Sequence, residues 1–224
     1  MFTFIDSHEN LEFLNKELLS KPYIAVDTEF RRTTKDNMKL ALLQINDDEE
    51  IFLIDTILIQ EPKEQVSFLF STSVVKIFHS CKEDIEAVYS WTNRKMKNIF
   101  DTQLANSFLE SDFSISYQAL VEKKLGIILD KKETRSNWTR RPLTDAQLKY
   151  ASLDVEYLIP IYLEQSSELS KSEKLNWLNQ DIDMLVRNIF KQPPTTDLAK
   201  RNIPKSEEDL ILSAMNKSIQ KIAE

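Results

Sequence analysis

Asp27 and Glu29 stand two positions apart at the end of an apolar run, YIAVDTEF, residues 23–30. Period-two alternation puts Ala25, Asp27 and Glu29 on one face of a strand, with Ile24, Val26, Thr28 and Phe30 on the other. Two unpaired carboxylates at the edge of a core are costly, because desolvation and mutual repulsion add. A cation should offset them. Asp84 opens the helical segment after a later strand. Asp154 lies in LKYASLDVEYL one turn beyond Tyr150, and residues four apart share a helix face. Four carboxylates from three elements suit hard divalent cations with oxygen ligands, Mg²⁺ or Mn²⁺. Two such ions about 3.5–4 Å apart clamp the attacking and leaving oxygens of a phosphodiester. The Tyr150 hydroxyl beside them could orient the water.

Each part has a plainer reading when taken singly. An acidic pair at a strand end is commonly a solvated edge or a cap. Asp84 suits the dipole of a helix first turn, and Tyr150 with Asp154 suits the rim of an amphipathic helix. Asp101 in FDTQ reads as an N-cap, and His79 and Cys81 read as packed or capping groups rather than ligands. The order and conjunction of the three acidic sites favour the metal reading.

The totals narrow the alternatives. A length of 224 residues suits one sizeable domain, or one with a small appendage. The single glycine, Gly126, cannot supply a dinucleotide-binding or P-loop fingerprint, which needs two or three. One cysteine excludes an internal disulfide, and with two histidines it disfavours a Cys/His zinc site. No stretch reads as a signal peptide, and no apolar run approaches the roughly 18 residues of a membrane span. The cytoplasm is the expected compartment. A net charge of −7 argues against coating nucleic acid by bulk electrostatics, though not against gripping it locally.

The elements that must position these residues follow in order. Ser7 caps a first helix with Leu11, Leu14 and Leu18 at helical spacing. Strands are expected over 23–30, 39–46 and 50–56, with a hairpin at 46–49, and then a helical stretch over 62–70. A fourth strand (74–80), a helix (82–91) and a short strand (98–102) follow. Beyond residue 117 the pattern is helical, broken by a polar loop over 130–142. Thr144 to Gln147 form a capping box opening a helix through Leu158, with Leu148, Ala151, Val155 and Leu158 toward the sheet. Pro160 kinks or restarts it. An amphipathic helix over 172–190, a linker over 191–205 and a last helix end the chain. The expected fold is α/β with a mixed, mainly five-stranded sheet flanked by helices.

AVDTEF, KIFHSCKEDIE, FDTQLA and YASLDVEYLIPIY, with TRSNWTRRPLTDAQLKYASLDV over 134–155, resemble the three exonuclease motifs of ribonuclease D. That family lies in the tyrosine-containing branch of the DEDD 3′→5′ exonuclease superfamily. The resemblance runs from about residue 3 to 190. It implies a ribonuclease H-like fold, metal ligands at Asp27, Glu29, Asp84 and Asp154, a catalytic Tyr150, and two Mg²⁺ or Mn²⁺ ions. The implied activity trims single-stranded RNA 3′ ends, tRNA precursors among them, to nucleoside 5′-monophosphates. Single-stranded DNA is the alternative substrate, and a non-catalytic RNA-binding module the more distant one. The implied domains are an exonuclease domain over 1–190 and a linker with a C-terminal helix over 191–224. Ribonuclease D usually continues into two helical C-terminal domains, so distributive trimming is expected here. The stretch KKETRSNWTRR (131–141) holds five basic residues against one acid. It is the candidate grip on a strand, Arg140 and Arg141 to phosphates and Trp138 to a base, with a solvated loop as the alternative.

Overall fold

The computed structural model describes residues 2–34, 37–110, 112–129 and 136–190. Residues 131–135 of the basic stretch, and the linker and helix expected beyond 190, lie outside the described residues.

A six-stranded mixed sheet runs in the order β1-β4-β3-β2-β5-β6. Its strands are β1 (Phe2–Ile5), β2 (Tyr23–Thr34), β3 (Asn37–Asn46), β4 (Ile51–Asp55), β5 (Val75–Phe78) and β6 (Ile99–Asp101). The central hairpins pair antiparallel, whereas β1 joins β4, and β5 and β6 extend from β2, in parallel. Ile24, Ala25 and Val26 of β2 and Leu42, Leu43 and Ile45 of β3 have no exposed surface. They are apolar on both faces because helices cover both.

The expected strand count of five is corrected to six. The extra strand, β1, has four residues and precedes the Ser7 cap. It exists because β4, some fifty residues on, offers an open edge in register Phe2↔Ile51 to Ile5↔Ile54. Nothing local specifies that pairing.

Helix α1 (His8–Leu18) starts at Ser7, whose side chain accepts from the Asn10 N–H, and it buries Leu11, Leu14 and Leu18 as expected. A 3₁₀ segment spans Lys63–Phe70. Helices α2 (Lys82–Thr92), α3 (Thr102–Leu109), α4 (Tyr117–Leu125), α5 (Asp145–Glu156), α6 (Leu158–Lys171) and α7 (Leu175–Ile189) complete the unit. Among the described residues no helix is long and apolar enough to cross a membrane.

The Thr144–Gln147 capping box forms as the sequence requires. The helix it opens ends at Glu156, two residues short of the expected Leu158, and a new helix restarts at Leu158 with Pro160 in its first turn. Proline has no N–H, and its ring would meet the carbonyl four residues back, at Glu156, so the chain breaks ahead of it. The freed carbonyls of α5 find other donors. Asn46 Nδ2 donates to Val155 O at 3.1 Å, and the Tyr117 hydroxyl donates to Leu153 O at 3.0 Å while accepting from the Tyr157 N–H. Both contacts flank Asp154 and fix the end of the helix that carries it.

Candidate active site

Along β2 the side chains divide by alternation. Thr28 donates its hydroxyl to Asp84 Oδ1 on α2 at 2.6 Å, and Arg32 pairs with Glu86 and Glu83 on the same helix. Asp27 and Glu29 point to the other face and meet α5. There one carboxylate oxygen from each of Asp27, Glu29 and Asp154 lies within 4.8 Å of the other two. Tyr150 stands one turn before Asp154 on the same face of α5, with its hydroxyl beside that carboxylate. Asp84 stands outside that group of three, with one oxygen held by Thr28 and its residue 7% exposed.

The electrostatics are those of acids crowded together away from water. Burial, with the charges of Asp154 and Asp84, pushes Glu29 up to about 9. Burial raises Asp84 to about 7 against the hydrogen bond from Thr28, and Asp154 to about 7 against the neighbouring Tyr150 hydroxyl. Asp27 is raised as well, by burial first and then by Asp84, Asp154 and Glu29. Burial and the same carboxylates hold the Tyr150 phenol far above its ordinary value, so it keeps its proton. Among the described residues no basic side chain pairs with these four acids, whereas the buried Asp55 and Asp47 each have one, Arg141 and Lys21. An all-carboxylate donor set with no side-chain cation fits hard divalent cations.

Asp101 does more than cap α3. Besides the N–H groups of Gln103 and Leu104 it accepts those of Ser80 at 3.1 Å and Cys81 at 2.8 Å. Ser80 sits in the left-handed region at φ 65°. Asp101 thereby holds the tight turn that launches α2 and aims Asp84. His79 bonds to Thr102 Oγ1 and Ile115 O, a packed group as the sequence suggests.

The basic stretch departs from expectation. Trp138 is 5% exposed, and its ring lies against Tyr150 with centroids 6.1 Å apart, tilted by 41°. A buried indole offers no stacking platform for a base. It forms a wall for the tyrosine instead. The Arg141 guanidinium donates to both oxygens of Asp55, to Ala41 O at 2.7 Å, and to the carbonyls of Trp138 and Arg140. It is committed to the fold rather than to a phosphate. Ala41 is the extra residue of a β-bulge, since Glu29 faces Leu42 while Phe30 faces Leu40. Its carbonyl, put out of the ladder, is satisfied by Arg141. Of the three proposed contacts only Arg140 stays exposed. The sequence carries no local sign of the Arg141–Asp55 pair, whose members are far apart in the chain.

Residues 2–170 match the family model described as 3′-5′ exonuclease. The chain belongs to the 3′-5′ exonuclease family. Within it, the chain is 38% identical over 177 residues to a ribonuclease D of Pseudomonas paraeruginosa, covering 79% of this chain and 47% of the relative. It is 33% identical over 193 residues to a ribonuclease D of Shewanella sp., covering 86% of this chain and 50% of the relative. The crystal structure of Escherichia coli RNase D, described as an exoribonuclease involved in structured RNA processing, superposes with a TM-score of 0.83 at 30% identity. That match covers 88% of this chain and 52% of the other. The chain thus spans about half the length of the ribonuclease D relatives it matches. The mixed sheet flanked by helices is that of the RNase D exonuclease fold.

Proposed function

We propose that this chain is a metal-dependent 3′→5′ exoribonuclease that removes nucleoside 5′-monophosphates from single-stranded RNA 3′ ends, tRNA precursors among its substrates. The observation that carries this reading is the convergence of Asp27, Glu29 and Asp154, with the Tyr150 hydroxyl beside Asp154 and, among the described residues, no basic side chain paired with the acids. The catalytic unit is the exonuclease domain that ends at about residue 190.

Asp27, Glu29, Asp84 and Asp154 are the residues that would hold two Mg²⁺ or Mn²⁺ ions. Such ions, when bound, neutralise charge on the phosphodiester and make water a better nucleophile. Thr28 fixes one oxygen of Asp84, which orients its carboxylate. Tyr150 keeps its phenolic proton and presents its oxygen beside Asp154, where it orients the attacking water. Water adds to phosphorus, the P–O3′ bond breaks, and the leaving oxygen takes a proton to become the new RNA 3′-hydroxyl. The released nucleotide carries the phosphate at its 5′ oxygen.

The test is incubation with 5′-labelled single-stranded RNA and DNA of one sequence, in Mg²⁺, Mn²⁺ or EDTA, beside Asp27→Asn. RNA laddering from the 3′ end with either metal, silenced by EDTA and by the variant, is the expected result. Turnover in EDTA, or near-normal turnover by Asp27→Asn, would overturn the proposal. Laddering of DNA alone would move the substrate to DNA.

A further inference from the structure

Beyond Glu29 the β2–β3 hairpin runs on without flanking strands. β5 pairs with β2 only over Tyr23–Ala25, and β4 pairs with β3 only over Leu42–Asn46. The hairpin therefore projects past the carboxylate cluster as a two-stranded ribbon, in which Arg31 faces Lys39 directly. Both are exposed. Like charges directly opposite across a ladder repel and destabilise the pair. Neither has a carboxylate partner among the described residues. The neighbouring Arg32 is different, because it faces α2 and meets Glu86 and Glu83 there.

Alternation decides where the two cations point. Thr28 and Arg32 contact α2, so Asp27, Glu29 and Arg31 share the opposite face, and Lys39 shares it as the residue across from Arg31. Two residues along a strand advance about 6.6 Å. That step leads away from the carboxylates by roughly the spacing of neighbouring phosphates on an extended single strand. A fixed pair of long cationic side chains, unpaired and mutually repelling, is relieved by an anion lying between them.

We propose that Arg31 and Lys39 together bind a backbone phosphate of the RNA strand, upstream of the 3′-terminal residue held at Asp27, Glu29 and Asp154. This rests on the exoribonuclease reading above, and adds to it the cationic contact that Trp138 and Arg141 do not supply. Arg31 offers a planar fork and Lys39 a mobile point charge, so the pair holds a phosphate without reading a base.

The test measures binding of a short fluorescein-labelled single-stranded RNA in EDTA by anisotropy, across a salt series. Wild type is compared with the double variant Arg31→Gln, Lys39→Gln. The expected result is a dissociation constant raised about tenfold or more. The log–log salt slope should become shallower by about 0.7, the contribution of one neutralised phosphate on a single strand. The melting temperature should hold or rise, because a like-charge pair has been removed. An unchanged salt slope, or no wild-type binding in EDTA, overturns the proposal, and so does a lowered melting temperature, which would make the pair structural. Cleavage by the same wild-type sample in Mn²⁺ separates the two failures. RNA cleaved with the slope unchanged removes only the role of Arg31 and Lys39, whereas no cleavage removes the exoribonuclease reading as well.

Discussion

The indole of Trp138 leans on the ring of Tyr150, centroids 6.1 Å apart, and the Tyr150 hydroxyl lies beside the Asp154 carboxylate. Trp138 thus supports the tyrosine's position from within the core. Trp138→Leu should lower kcat by roughly 10- to 100-fold through misplacement of the hydroxyl, with KM for RNA little changed. Trp138→Phe should restore most of the loss. Steady-state kinetics check this. A base-stacking role predicts the reverse, an affinity loss of about 1–3 kcal/mol with turnover kept.

Arg141→Ala should destabilise the fold by about 3–5 kcal/mol, because it leaves Asp55, 0% exposed, without its cation. The carbonyl of Ala41 loses its donor in the same change. Chemical denaturation measures the loss. A phosphate-binding arginine would leave stability alone and weaken RNA binding, and that outcome would restore the contact expected from the sequence.

Tyr150→Phe removes the hydroxyl and keeps the ring against Trp138. Turnover should fall by about 10²-fold or more, on the scale of a positioned proton-handling group. Binding of Mn²⁺, followed by calorimetry, should persist, since the carboxylates remain. An unchanged rate would reduce Tyr150 to packing.

The raised carboxyl groups fix how the metal-free protein responds to pH. Asp and Glu titrate near 4 when unfolded, whereas Asp84 and Asp154 are raised to about 7 and Glu29 to about 9 in the fold. Across that window the folded state binds more protons than the unfolded one, so stability falls as pH rises. In EDTA the melting temperature should therefore drop between about pH 5 and pH 8 from these groups. Added Mn²⁺ should raise it more at the higher pH, where it replaces no proton. Asp27→Asn should flatten the dependence. Scanning calorimetry decides, and a melting temperature that climbs over this range in EDTA would contradict the shifts.

The site was legible in the sequence wherever short-range geometry suffices. Two-residue alternation placed Asp27 and Glu29 side by side, a four-residue step placed Tyr150 over Asp154, and the Ser7 and Thr144 caps set their helix starts. These depend on the period of a strand, the pitch of a helix and one hydrogen bond at a terminus. The family resemblance and the ribonuclease H-like layout followed from the same segments.

Tertiary structure decided what depends on partners distant in the chain. β1 became a strand because the β4 edge was open to it. Asp84 was drawn to Thr28 rather than into the group of three, and Tyr117 and Asn46 took up the helix end beside Asp154. Trp138 and Arg141 sit in a stretch whose composition suggests a grip on RNA. Asp55, buried in β4 and needing a cation, and the bulged carbonyl of Ala41 drew the arginine inward, and the indole settled against Tyr150. Composition records that a charge exists. Only the packed fold determines whether a buried carboxylate or a solvated ligand receives it, because desolvation makes the unpaired buried charge the costlier of the two.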